Sequence, residues 1–140
     1  YEYPPLAIRK SSAKMQLFLD AYNITHIVSY HPKWHDYFMS YPDRFEEQFA
    51  VPSHDYIIRV YAVKRTPATL VQGRGQARAR FNRIDVTLEA DAKEVILSYN
   101  WMDGLRFTPP VEIFPCPLTE GVTLIGARPN GQREFQVTYR

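Results

Sequence analysis

The sequence has one cysteine, no long apolar run and no large excess of charge. Cys116 is the single cysteine among 140 residues, which excludes an internal disulfide. No segment approaches the roughly 18 to 20 consecutive apolar residues that a transmembrane helix needs. The formal net charge of +2 is too close to neutrality to indicate a polyanionic partner. The sequence therefore predicts neither a nucleic-acid partner nor a membrane crossing within these residues.

The beginning of the chain lacks both a signal peptide and an initiator methionine. It reads YEYPP over residues 1–5, and the two prolines favour an extended backbone there. We expect the chain to be part of a longer protein, so that residues preceding Tyr1 bear on its function.

Aromatic and apolar residues, in contrast, are plentiful. Aromatics make up 14% of the chain and apolar residues 45%, a composition that favours a folded globular protein over a disordered one. Large rings suit half-buried strands. Cys116 lies between two prolines in an apolar run, which favours a small buried hydrophobe over a nucleophile.

Residues 1–65 predict a small α/β lobe. The predicted order is helix, strand, helix and hairpin, over residues 12–22, 24–30, 32–40, 45–51 and 56–63. Ser11 or Ser12 caps the first helix, and Pro32 suits the first position of the second. Residues 24–30 show no strict alternation, which is typical of a strand covered on both faces. In the last strand, one apolar face is formed by Tyr56, Ile58, Val60 and Ala62.

Residues 66–140 predict an antiparallel β-sandwich lobe. The predicted strands cover residues 77–90, 94–99, 105–108, 111–114, 122–127 and 134–139, separated by Gly and Pro turns. Residues 129–131, Pro-Asn-Gly, predict a hairpin turn because Asn-Gly readily adopts positive φ. The fold class is therefore α+β, with a small α/β layer followed by the sandwich.

Two histidines are candidate metal ligands. If a helix begins at Pro32, His31 and His35 lie about one turn apart, a spacing that can bind a transition metal. The alternative is a solvated helix start with one partly buried histidine. No cofactor is predicted. Ser53, His54 and Asp55 are adjacent in a turn, whereas catalytic triads are assembled from separate segments.

Trp101 is the main candidate for a ligand contact. It lies between two predicted strands and is followed by Asp103 and a glycine, so it either packs in the core or stacks on a sugar ring. Tyr99 and Trp34 are further candidates for the same ligand site.

One cluster of arginines interrupts the otherwise scattered charges. It consists of Arg74, Arg78, Arg80 and Arg83. In a strand, the first three share one face that could meet phosphates or anionic headgroups. Acidic residues follow closely at Asp85, Glu89 and Asp91. A solvated strand face is the alternative interpretation.

Several segments resemble a known group of membrane proteins. Residues 18–30, FLDAYNITHIVSY, followed by Trp34, YPDRF at 41–45 and YIIRV at 56–60, resemble the extracytoplasmic C-terminal part of bacterial and archaeal polytopic membrane proteins. Residues 94–106, EVILSYNWMDGLR, and 129–140, PNGQREFQVTYR, are similar to the terminal β-domain of YfhO-like proteins and GT-C-type glycosyltransferases. Leu105-Arg106-Phe107 departs from the pattern, which has a second Trp or Tyr directly after the glycine.

The resemblance implies a domain on the periplasmic or extracellular face, attached to the membrane through flanking segments. The parent would be a glycosyltransferase-like membrane protein, with a glycan or lipid-linked sugar as partner. Its catalytic acids lie in loops outside this chain, so the chain alone is expected to be non-catalytic. Two alternatives stay open: a free-standing carbohydrate-binding module using Trp101, and a small metal-dependent hydrolase using His31 and His35.

Overall fold

The computed structural model describes residues 11–119 and 121–139. These residues form an α+β fold that is rich in antiparallel sheet. By their contacts they fall into two compact units. Residues 24–67 are called the three-stranded unit, and residues 11–23 together with 68–119 and 121–139 the two-sheet unit. The extended segment predicted at residues 1–5 lies outside the described residues.

The first element is helix α1, Ser12–Ala21. The Ser11 side chain accepts a hydrogen bond from the backbone N–H of Lys14 at 3.3 Å, as an N-cap does. The buried residues of this helix recur at helical spacing; they are Met15, Phe18, Leu19 and Ala21. The predicted start of this helix is confirmed. Neither helix in the described residues is long and apolar enough to span a membrane.

The three-stranded unit contains one helix and one antiparallel sheet. Its elements are β1 (His26–Ser29), α2 (Pro32–Met39), β2 (Phe45–Ser53) and β3 (Tyr56–Val63), with sheet order β1-β3-β2. Pro32 occupies the first turn of α2, where its missing N–H costs nothing. The predicted hairpin of the last two strands is confirmed.

Helix α2 covers one face of this sheet with an aromatic cluster. The Phe38 ring lies 4.9 Å from the Phe45 ring and 4.7 Å from the Tyr61 ring, measured between centroids. All three residues are buried, and Tyr61 is fully enclosed. The core of this unit therefore lies between α2 and the face of β3 that carries Tyr61 and Val63.

The opposite face of the same sheet is apolar and exposed. Its central rows pair Val28 with Val60 and Val60 with Phe49, and directly paired side chains share a face. We call it the apolar sheet face; its residues are Val28, Tyr30, Phe49, Val51, Tyr56, Ile58 and Val60. Val28 is 68% exposed. The prediction that β1 is covered on both faces is wrong, because helix α2 covers only the opposite face of the sheet.

The two-sheet unit contains eight further strands. They are β4 (Leu70–Gln72), β5 (Gly75–Arg80), β6 (Arg83–Leu88), β7 (Val95–Asn100), β8 (Leu105–Phe107), β9 (Glu112–Thr119), β10 (Val122–Arg128) and β11 (Glu134–Tyr139). The single strand predicted over residues 77–90 is wrong, since a turn at Phe81-Asn82 divides it. Asn82 adopts φ 55°, a conformation that asparagine tolerates without a neighbouring glycine or proline.

Two four-stranded sheets share the core of this unit. Their orders are β4-β7-β10-β9 and β5-β6-β11-β8. Leu97 and Ile125 of the first sheet and Val86 and Val137 of the second belong to one buried cluster.

Two predictions for this unit are corrected. Asn130 and Gly131 adopt positive φ as predicted, but they connect β10 and β11, which belong to different sheets. The predicted hairpin is therefore wrong, because this turn carries the chain from one sheet to the other. Cys116 lies on the edge strand β9 and is partly exposed, so the prediction that it is a buried residue is also wrong.

Candidate functional site

The outer face of the β5-β6-β11-β8 sheet is polar over its whole width. Side chains alternate between the two faces of a strand, and Ala77, Val86 and Val137 point to the core. Their neighbours along each strand therefore point outward. We call this the polar sheet face; its residues are Gln76, Arg78, Arg80, Arg83, Asp85, Thr87, Arg106, Glu134, Gln136 and Thr138.

Cross-strand pairing sets the order of these side chains. One row runs Arg80, Arg83, Thr138 and Arg106 across the four strands. The next row runs Arg78, Asp85 and Gln136, and the third Gln76, Thr87 and Glu134. The pairing thus brings Arg106 of β8, which is distant in sequence, onto the same face as the arginines of β5 and β6.

Asp85 is the centre of the charge arrangement. Its two carboxylate oxygens lie 2.9 Å from Arg80 Nε and 2.9 Å from Arg83 Nε. Arg83 Nε is enclosed, yet its geometry towards Asp85 does not meet that of a hydrogen bond. The contact of Arg83 is therefore one of charge attraction, and Asp85 balances two guanidinium groups with one negative charge.

Two arginines of the polar sheet face form no ion pair within the described residues. Arg78 and Arg106 are exposed, and neither forms an ion pair with any residue in the described ranges. The polar sheet face thus carries four arginines and two carboxylates, those of Asp85 and Glu134. The excess of positive charge gives this face an attraction for anionic groups.

A groove of about 540 Å³ lies on this face, beside strands β6 and β11. Its volume lies within the roughly 300–1,000 Å³ of small-molecule sites. Six of its lining residues are polar: Arg83, Asp85, Thr87, Thr108, Glu134 and Gln136. Carboxylates, hydroxyls, an amide and a guanidinium are therefore available side by side.

The arginine cluster of the sequence differs from this arrangement in one member. Arg74 lies before the start of β5, so it does not share the strand face with Arg78 and Arg80. Arg83 and Arg106 join them instead, through the pairing of β6, β11 and β8. Sequence reasoning missed Arg106, Glu134 and Gln136. The clean alternation of residues 134–139 was the signal that could have placed the last two on an outward face.

The residues around Trp101 lie elsewhere in the two-sheet unit. Tyr99 and Trp101 pack against its buried core. The Tyr99 hydroxyl donates to the carbonyl of Ala77 at 3.2 Å and accepts from the N–H of Ala79 at 3.3 Å. Asp103 is exposed in the turn between β7 and β8. The role of these three residues in a ligand site stays a prediction, and the observed contacts of Tyr99 and Trp101 stabilise the core.

Trp34 belongs to the three-stranded unit. Its ring stacks on Phe38, with centroids 5.6 Å apart and an interplanar angle of 19°. The side chain is half-buried and extends the aromatic cluster beneath helix α2. A ligand role for Trp34 likewise stays a prediction.

The two histidines make separate contacts. His31 caps helix α2, its Nδ1 accepting a hydrogen bond from the N–H of Lys33 at 3.2 Å. His35 Nδ1 lies 2.8 Å from the Tyr61 hydroxyl and 3.3 Å from Glu47 Oε2. Within the described ranges, no group of three or more His, Cys, Asp or Glu side chains is placed to hold a metal ion. The geometry gives the hydrolase hypothesis no support.

The contacts of His35 belong to a polar network that the sequence did not indicate. Arg59 Nε lies 3.5 Å from the same Glu47 oxygen. Burial raises the pKa of the Tyr61 hydroxyl above its ordinary value, and the nearby Glu47 carboxylate raises it further. The network joins helix α2 to strands β2 and β3, so its effect is on the stability of the three-stranded unit.

Comparison with known proteins gives no match, whether to a protein-family model, to a curated protein or to a solved structure.

Proposed function

We propose that this chain is a non-catalytic binding domain and that its polar sheet face binds a glycan. The two sheets around their common core are read as a β-sandwich, an architecture that lectin domains also use. The groove on the outer sheet is the observation that carries the proposal. Its lining alternates hydrogen-bond donors with acceptors over a short distance.

The chemistry of the groove suits sugar hydroxyls, each of which donates and accepts. The carboxylates of Asp85 and Glu134 accept hydrogen bonds from hydroxyl groups, and Arg83 donates. The Gln136 amide, like the hydroxyls of Thr87 and Thr108, does both. A polyol therefore finds a partner for each hydroxyl that it presents.

The unpaired arginines extend the proposal to acidic glycans. Guanidinium groups bind carboxylate and phosphate with two parallel hydrogen bonds. Arg106 of the edge strand β8 lies beside Thr138 of β11, and Arg78 of the edge strand β5 lies beside Asp85 of β6. A glycan that crosses the groove with a carboxylate or phosphate substituent would meet one of these two side chains.

The setting of the domain rests on the resemblance in sequence. It supports an outward-facing position on a multi-pass, GT-C-like glycosyltransferase, attached to the membrane through flanking segments. In that setting the glycan is an acceptor or a lipid-linked sugar that the domain holds near the catalytic loops of the parent protein.

Binding to an array of neutral, uronate-bearing and phosphate-bearing glycans tests the proposal. We expect binding to the acidic glycans, weakened about five- to 150-fold by Gln136→Ala and by Arg106→Ala, since each removes a hydrogen bond, at about 1–3 kcal/mol. Gln72→Ala and Arg128→Ala are matched controls on the other sheet. The proposal fails if no glycan binds, or if the Gln136 and Arg106 variants bind as the unaltered protein does.

A further inference from the structure

The apolar sheet face of the three-stranded unit exposes large apolar side chains to water, which is unfavourable. Val28 is 68% exposed, Tyr30 64%, Phe49 56%, Val51 48% and Tyr56 47%. The rings of Tyr30 and Tyr56 lie 5.4 Å apart, so these side chains form a continuous patch. A patch of this extent on a sheet is typical of an interaction site.

The patch is large enough for a weak specific interface. Its seven side chains expose roughly 600 Å² in all, given about 150–250 Å² for a whole aromatic side chain. Two copies packed face to face would remove about 1,200 Å² from solvent, the lower limit for specific interfaces. The area of the apolar sheet face is therefore sufficient for a weak interface with the same face of a second copy.

The polar side chains at one end of the patch, an imidazole and a carboxylate, are complementary under twofold symmetry. His26 and Glu46 flank Ala62 on opposite edges of the sheet, and both are exposed. A twofold axis parallel to β3, between two facing sheets, places β1 of each copy over β2 of the other. His26 of each copy then faces Glu46 of its partner, so that the interface contains two opposed pairs.

The same axis places large side chains over small ones. Val28 and Phe49 lie in one row on either side of Val60, so each valine faces a phenylalanine of the other copy. Val51 and Ile58 form the next row. The Tyr30 ring, just after β1, packs beside Tyr56. Val60 meets its own symmetry mate. Facing sheets about 10 Å apart are filled by such interdigitation.

We propose that the apolar sheet face is a homodimer interface, in which two three-stranded sheets pack face to face about this twofold axis. The interface is isologous: each contact occurs twice. Because the buried area is at the lower limit for specific interfaces, we expect a weak, reversible dimer. This proposal is independent of the glycan site, which lies on the other unit.

Sedimentation equilibrium from micromolar to low-millimolar protein tests the interface. We expect a reversible monomer–dimer equilibrium, weakened at least tenfold by Phe49→Lys and by Val51→Lys, because each buries an unpaired charge near the centre. Phe81→Lys is the matched control, since Phe81 is 93% exposed and lies on the other unit. Thermal unfolding confirms that each variant is folded.

A charge exchange tests the symmetry itself. His26→Glu alone places two carboxylates against each other and should weaken the dimer about two- to fivefold. Adding Glu46→Lys to that variant should restore the affinity, because the opposed pair is rebuilt with its signs reversed.

The proposal is overturned by a monomer at every concentration, by equal weakening in Phe81→Lys, or by failure of the exchange to restore affinity. Binding of the protein to neutral phosphatidylcholine vesicles, lost in Phe49→Lys while the protein stays monomeric, identifies a membrane as the occupant and also overturns it.

Discussion

The two units present opposite kinds of sheet face to solvent. The two-sheet unit exposes a face of arginines, carboxylates and amides, whereas the three-stranded unit exposes valine, isoleucine and aromatic side chains. In the β5-β6-β11-β8 sheet of the two-sheet unit, polar and apolar residues alternate, so that burial follows the sequence pattern. In the three-stranded unit, both faces of β3 carry apolar side chains, and helix α2 covers only one of them. An apolar strand face is thus buried only where another element covers it.

A matched pair of substitutions gives the largest expected difference between the two units. Val137→Asp places a charge where 1% of the valine is exposed, and should lower the free energy of unfolding by about 3–5 kcal/mol or prevent folding. Val28→Asp, at 68% exposure, should change it by less than about 1 kcal/mol in the monomer. Urea unfolding of dilute protein measures both. Equal losses would contradict the exposure of the apolar sheet face.

Trp101→Ala separates core packing from sugar stacking within the two-sheet unit. Trp101 packs against the buried cluster, so its removal should cost about 2–4 kcal/mol of unfolding free energy. Glycan binding at the polar sheet face should persist below the unfolding transition. Loss of binding with unchanged stability would instead favour the carbohydrate-binding module centred on Trp101.

Tyr61→Phe gives a smaller effect, confined to the three-stranded unit. Loss of the hydroxyl that lies 2.8 Å from His35 Nδ1 should cost about 1–2 kcal/mol near neutral pH. Burial raises the pKa of Tyr61 above 10.0, so the folded state holds this proton more tightly than the unfolded chain. The stability gained in this way is complete below pH 10.0 and is lost as the pH rises through the raised pKa.

Urea unfolding on either side of pH 10.0 measures that loss of stability. It should be smaller in Tyr61→Phe, although Tyr37, whose pKa burial also raises, still contributes. Tyr56→Phe is the control, because Tyr56 is 47% exposed. An identical alkaline loss in the Tyr61 variant would rule out this linkage.

The elements that the sequence predicted well carry local signals. Ser11 caps α1 with its own side chain, Pro32 begins α2, and β11 has the predicted bounds because its alternation is unbroken. The missed turn at Phe81-Asn82 has no glycine or proline to mark it. Strand β4 was missed because three residues are too few to show a period.

The candidate glycan site was predictable in part. Arg78, Arg80 and Arg83 lie close together in sequence and were identified as a cluster. Arg106, Glu134 and Gln136 come from strands more than twenty residues away, and the pairing of β6 with β11 and of β11 with β8 brings them beside the cluster. Residue type gave the chemistry of each side chain, whereas pairing alone made them neighbours.

The sequence by itself determined the α+β class, the antiparallel strands and most of the local boundaries, because caps, turns and alternation act over a few residues. Tertiary structure alone decided that residues 129–131 connect two sheets, that Asp85 meets two arginines and that Val28 faces solvent. Each of these depends on which strands pair and which face a helix covers. Such choices are made by contacts between distant segments, and no short stretch of the chain encodes them.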